Sequence, residues 1–279
     1  MKYIIVPSLL LSVLAAALSA RAGNLGVPEL FVKGIYNHAR HETTGSRLGF
    51  KSDTKGIIVG AGLKLSNAMT VGIGYGYTDT TVDLSLQDLD IKGHQFFLQG
   101  EYHPNAWYAN WLMSYGYGRY EGKDVQAKYH VNTYALDIMS GYLFNVGFAP
   151  EWGLRYLVAD QPAYVADEKK VQSDRSEFLT GVVGGRYSTA FSSTQMKWLP
   201  FIHAGVTYDF ISDGAKTNIE ISRGNYYQIN GRRLHRFGVE AGAGLTIAVN
   251  GWDFSVAYEG DYRKNFQSHT GLLRGQYRF

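Results

Sequence analysis

Apolar and polar residues alternate one by one through most of this chain. Met69, Val71, Ile73, Tyr75 and Tyr77 fall on one face, and Thr70, Gly72, Gly74 and Gly76 on the other. Trp107, Ala109, Trp111, Met113, Tyr115 and Tyr117 oppose Tyr108, Asn110, Leu112, Ser114 and Gly116. Phe237, Val239, Ala241, Ala243, Leu245, Ile247 and Val249 oppose Gly238, Glu240, Gly242, Gly244 and Thr246. A period of two is the signature of a strand that meets two different environments. Collected along the chain, the pattern predicts twelve strands: 30–39, 54–65, 69–80, 91–103, 106–120, 131–144, 147–158, 177–188, 198–210, 234–249, 252–262 and 268–279. Most are about the length that a tilted strand needs to cross a bilayer, ~9–11 residues, with overhang at one end.

The connections alternate too. The even-numbered strands lead into links of a few residues, such as Ser66-Asn67-Ala68 and His103-Pro104-Asn105, with 189–197 somewhat longer. The odd-numbered strands lead into longer loops at 40–53, 81–90, 121–130, 159–176 and 211–233, and only 263–267 is short. Short turns on one rim and long loops on the other, with an even strand count, describe an outer-membrane barrel whose short side is periplasmic. No break in composition divides the sequence, so 29–279 is expected to be one domain.

Charge placement sharpens the picture. Asp137, Glu151, Arg155, Arg186, His203, Asp209, Glu240, Asp253, Glu259 and Arg274 all share the face opposite the apolar stripe. Asp79, His94 and Arg119 have the apolar parity, but at the long-loop ends of their strands. A lipid-facing Arg or Lys at mid-depth costs ~2–4 kcal/mol and little near the interface, and the placement follows that gradient. A soluble β-sandwich would turn the same faces the other way, apolar inward, and parity alone does not separate the two.

The ends separate them. Phe279, Tyr277, Gly275, Leu273 and Gly271 share one face of the closing segment, so the last strand finishes on aromatic residues, as strands that end at headgroup level do. Residues 1–22 carry one early Lys2, an apolar run, and Ala20-Arg21-Ala22 as an A-x-A cleavage site, which together read as a secretory signal peptide. Removing Lys2 and Arg21 from 27 Lys+Arg leaves 25 against 24 Asp+Glu, a net +1, and this balance gives no reason to expect nucleic acid. With no cysteine, disulfide staples and thiolate metal sites are excluded. The expectation is an all-β, up-and-down antiparallel transmembrane barrel of about twelve strands, exported by a cleaved signal peptide and integral to the outer membrane.

The inward residues Glu101, Glu151, Arg155, Arg186, His203, Arg236, Glu240, Asp253, Glu259 and Arg274 are the expected lumen lining. Their mixed signs argue for salt bridges across a filled or watery interior rather than a single-sign ion filter. The inward glycines, Gly72, Gly74 and Gly76 and again Gly238, Gly242 and Gly244, fit wall curvature with neighbouring tyrosines covering the gaps. A smooth track for a sliding polymer is the alternative. No catalytic constellation emerges: His203 and Asp209 share a parity but lie ~20 Å apart along one strand. The pair His38 and His41 near a rim lacks a third ligand. No enzyme activity, cofactor or metal is expected.

From about Glu29 to Phe279 the chain resembles the translocator (β) domain of autotransporters, the type V secretion barrels. The likeness runs through ELFVKGIYNHAR, KGIIVGAGLKL, MTVGIGYGYTDTTVDL and the closing run from RRLHRFGVEAGAGLTIAVNGWDF to LLRGQYRF. That resemblance implies a twelve-stranded outer-membrane barrel. Its last strand, here carrying Leu273, Tyr277 and Phe279, is read by the barrel-assembly machinery, after periplasmic chaperones. Autotransporters of this kind carry a secreted passenger and a pore-threading helix. Here only residues 23–28 separate the expected cleavage site from the first strand, so no fused passenger is expected and a partner would be separately encoded. The expected function is a pore-forming or translocator-like barrel. The alternatives are a passive channel for small polar solutes, or an adhesin acting through the loops at 159–176 and 211–233.

Overall fold

The computed structural model describes residues 28–43, 49–84, 88–123, 127–166, 169–193, 195–213, 216–222, 225–230 and 234–279, with 216–230 described as backbone only. The leader expected at 1–22 and most of the lead at 23–28 lie outside them. Twelve long strands form the wall. They are β1 (Pro28–His41), β2 (Phe50–Lys64), β3 (Met69–Asp83), β4 (Asp88–Tyr102), β5 (Trp107–Gly122) and β6 (Lys128–Tyr142), followed by β7 (Phe148–Gln161), β8 (Asp174–Ser188), β9 (Lys197–Ser212), β10 (Phe237–Val249), β11 (Trp252–Arg263) and β12 (Phe266–Arg278). Each pairs antiparallel with its sequence neighbour, and β1 pairs with β12 from Glu29↔Arg278 to His41↔Phe266. The sheet therefore closes on itself, which removes the edges that would otherwise template aggregation.

Hairpin chemistry fixes the short rim. Between β10 and β11, Asn250 and Gly251 both take positive φ, 46° and 83°, the two-residue turn whose twist suits flanking strands. Phe191–Ser192 folds back on Trp198 and Lys197, so the longer link before β9 carries a small hairpin of its own.

On the other rim the wall runs further than the alternation predicts. β3 continues to Asp83 and β4 begins at Asp88, because Val82, Leu84, Leu89 and Ile91 turn inward into an apolar cluster with Phe50, Tyr120 and Phe266. Conversely, 234–236 precede β10 and are not part of it. The loops also hold strands that the alternation missed: Tyr164–Ala166, Lys169–Val171, Lys216–Ser222 and Asn225–Asn230 form a four-stranded sheet. It joins the two longest loops through Ile219↔Val171 and is bridged to the wall side by Ala127↔Ala166. Such short strands lie below the length at which alternation is informative.

Large apolar side chains face outward along every strand, among them Ile73 at 63% exposure and Leu273 at 65%. A second apolar cluster lies inside the wall, made of Phe31, Ile35, Ile58, Phe97, Leu112 and Leu272. It explains some of the inward glycines. A Cβ on Gly60 would stand 2.4 Å from Phe31 Cζ, and one on Gly74 2.3 Å from Phe97 Cζ. Gly60 pairs with Phe31 and Gly74, and Gly74 pairs with Phe97, so the two rings lie flat over neighbouring bare positions. Their centroids are 6.4 Å apart. Phe201 does the same at Gly244, whereas Gly72 meets Gln99, Gly76 meets Ile58, Gly238 meets Thr207 and Arg263, and Gly242 meets Glu259 and His203. Tyrosine cover is found at Gly118 under Tyr120 and Gly141 under Tyr108.

Candidate functional site: the lumen

Alternation sends the second residue of each pair inward, and register decides which of them meet. Asp137 on β6 stands directly opposite Arg155 on β7. Arg155 Nε donates to Asp137 at 3.1 Å, and its two terminal nitrogens donate to both oxygens of Glu240 at 2.6 and 3.2 Å. Glu240 is on β10, so this bidentate pair crosses the lumen face of β8 and β9. The crossing fits the small residues there: Gly184 and Gly205 are cross-strand partners, and Gly205 also pairs with Glu240. A planar guanidinium matches a carboxylate in this fork geometry better than an ammonium does.

Lower in the lumen, toward the short-turn rim, Glu151 accepts from Tyr108 Oη at 2.6 Å and from Arg186 Nε at 3.1 Å. The Arg186 guanidinium also lies 5.1 Å from the Phe201 ring centre. His203 Nε2 and Glu259 Oε2 are 2.6 Å apart. Asp253 meets Arg278, and Arg274 lies over the Phe31 ring at 5.1 Å. Glu101 lines the same inner cavity of about 270 Å³ as Tyr108, Glu151, Arg155, Arg186 and His203. Among the residues singled out from the sequence, Arg236 does not sit with the others. It is exposed at the bend before β10, where its carbonyl accepts the Asp209 amide at 2.9 Å. Inward parity carried one residue past the strand's end counts as a lumen position only if the strand persists.

Parity read on every strand would have added more. Arg263 is 2.5 Å from Asp209 and 3.5 Å from Asp261. Lys33 stands opposite Arg274 on the inner face. Asn37, fully buried, donates to Ser268 Oγ at 2.8 Å and Thr270 Oγ1 at 2.7 Å. His38 and His41, considered together as a rim pair, point to opposite sides: His38 outward to Asp53 at 2.9 Å, His41 inward against Phe50 and Phe266. Among the closing residues, Leu273 and Phe279 are exposed, and Tyr277 packs between Trp252 and Phe279 at 4.8 and 5.0 Å.

The inner wall is thus a set of opposite-charge pairs and aromatic covers around a small cavity lined by both charged and apolar side chains. Mixed signs of this kind do not make a single-sign ion filter.

Residues 30–259 match the family model described as the autotransporter β-domain. The chain is 21% identical to Outer membrane protein B of Rickettsia japonica over 289 residues, which covers 90% of this chain and 17% of that protein. It therefore spans about a sixth of that relative's length. Two solved structures share the fold. The translocator domain of the autotransporter NalP from Neisseria meningitidis aligns with a TM-score of 0.71 at 21% identity, covering 92% of this chain and 90% of that one. The transport unit of the autotransporter AIDA-I from Escherichia coli aligns with a TM-score of 0.72 at 15% identity, covering 98% and 95%.

Proposed function

We propose, from the premise that this chain belongs to the autotransporter β-domain family, that it is a translocator-type barrel whose lumen rests closed by its own side chains. The protein is an integral outer-membrane barrel. The observation that carries the closed state is the Arg155–Glu240 pair spanning the inner faces of β8 and β9, with the Phe31–Phe97 cover on the strands β1 to β4 on the other side of the ring. A passive diffusion channel needs a continuous watery path, and inward ion pairs and aromatic covers narrow the space left for one. A translocator needs the opposite: a polar, mixed-charge wall that a passing polypeptide can displace piece by piece.

Single-channel recording in planar bilayers tests this. The native barrel is expected to stay quiet apart from brief openings. Steady ohmic steps from the unmodified protein would remove the closed-lumen reading and restore the passive channel.

We further infer that Leu273, Tyr277 and Phe279 form the strand surface read during assembly by the barrel-assembly machinery, with delivery by periplasmic chaperones. What supports this is the shared parity of Leu273 and Tyr277 on β12, the strand that closes the ring against β1, with Phe279 following in the same alternation. Changing Phe279→Asp is expected to reduce folded, heat-modifiable barrel in the outer membrane several-fold. An unchanged amount would count against the inference.

A further inference from the structure

The outer face of β2–β6 can be read as a series of rows by following the register. One row holds Ala61, Ile73, Leu98, Met113 and Leu136. Two residues toward the long-loop rim lie Val59, Tyr75, Phe96, Tyr115 and Tyr134, then Ile57, Tyr77, His94, Tyr117 and Asn132. The next row is Lys55, Asp79, Lys92, Arg119 and His130. The phenols mark the boundary: Tyr75 Oη is 2.6 Å from His94 Nδ1, and Tyr115 Oη donates to Asn132 at 3.0 Å. Tyrosines at headgroup level, apolar body below and hydroxyl above, place the charged row at the surface of the outer leaflet.

Two independent features of this face point to a ligand. First, Lys92 and Arg119 are direct cross-strand partners, with His130 next to Arg119. Like charges placed opposite each other destabilise a sheet pair, so the arrangement favours an external anion. Arg119 is held by Glu121 on its own strand at 2.9 Å, and Asp79 lies on the other side of Lys92. Asp79 is on the β3 side of Lys92, away from Arg119. Second, below them and past the row of Tyr77, His94 and Tyr117, an apolar groove of about 1080 Å³ runs over the wall, lined by Tyr75, Phe96, Leu98, Met113, Tyr115 and Leu136 among others.

We propose that this face is a binding site for a phosphorylated acyl lipid of the outer leaflet. Its phosphate seats between Lys92 and Arg119, and an acyl chain lies in the groove beneath. The cations supply charge-assisted hydrogen bonds to phosphate oxygens, and the groove supplies apolar contact that a bulk lipid would make less completely.

Native mass spectrometry of the full chain in detergent tests the site, with bis-phosphorylated lipid A, its phosphate-free analogue and inorganic phosphate as probes. The unmodified protein is expected to retain lipid A roughly tenfold better than the phosphate-free lipid, the order that two interfacial cations supply. The exposed double variant Lys92→Gln/Arg119→Gln is expected to lose that preference while still migrating as a heat-modifiable barrel. Lys169→Gln/Lys170→Gln, equally exposed but on the loop sheet, is expected to keep it. Filling the groove with Leu98→Trp is expected to weaken retention of both lipids. Equal retention of the two lipids by the native protein, or an undiminished preference in Lys92→Gln/Arg119→Gln, would overturn the proposal. Displacement of lipid A by millimolar inorganic phosphate would overturn the lipid in favour of a simple anion site.

Discussion

Replacing Arg155 by alanine is expected to destabilise the barrel by about 3–5 kcal/mol and to turn a quiet bilayer recording into a leaky one. Arg155 is the partner of two carboxylates, Asp137 and Glu240, whose side chains are only 7% and 16% exposed. Its removal leaves both buried beside each other without their hydrogen-bonded counter-charge, and the penalty comes from that orphaned pair more than from lost attraction. Arg155→Lys is expected to fall between, because an ammonium cannot satisfy Glu240 through both oxygens while holding Asp137. Removing all three charges together, Arg155→Met with Asp137→Asn and Glu240→Gln, should recover much of the stability but not the seal. Urea unfolding from lipid vesicles, followed by tryptophan fluorescence, gives the first quantity, and single-channel recording the second. A loss of stability no larger than that of an exposed surface charge would show that the crossing pair is incidental.

The other large effect belongs to the outer face. Ile73→Arg is expected to destabilise the folded, inserted barrel by ~2–4 kcal/mol. Ile73 is 63% exposed and lies in the row between the lower aromatic belt of Tyr102 and Trp107 and the upper one of Tyr75 and Phe96. Asp79→Arg, six residues along the same strand and on the same face, is expected to change stability by about 0–1 kcal/mol. The comparison isolates depth, since strand, face and introduced side chain are the same. Equal effects at the two positions would mean that this face does not meet acyl chains.

Most of the wall was legible from the sequence because a strand between lipid and lumen is constrained at every second residue. A single polar residue on the wrong parity is costly, so alternation is kept over whole strands and twelve can be counted. Beyond the membrane the constraint lapses. β3 and β4 extend to Asp83 and Asp88 through residues that pack inward with Phe50 and Phe266, partners too distant in sequence for alternation to reveal. The strands Lys169–Val171 and Lys216–Ser222 depend on each other across the two longest loops. Parity placed Arg155, Glu151, Arg186, His203 and Glu259 on one inner surface. Only register could pair Arg155 with Glu240 across two intervening strands. Alternation leaves Arg263 in the loop at 263–267 because it lies at the end of its strand, where the extent of pairing decides whether a residue faces inward.

Closure of the ring has a practical corollary for anything that cuts the protein from outside. Each long strand is laddered to a neighbour on both sides, and β1 is bonded to β12 as fully as to β2. A protease that severs one surface loop therefore produces two polypeptides without producing a free seam. Each fragment keeps its hydrogen-bonded borders with the other, and the loop sheet adds a tie between 169–171 and 216–222. Shaving of cells would remove exposed segments while leaving a nicked, still assembled cylinder in the bilayer.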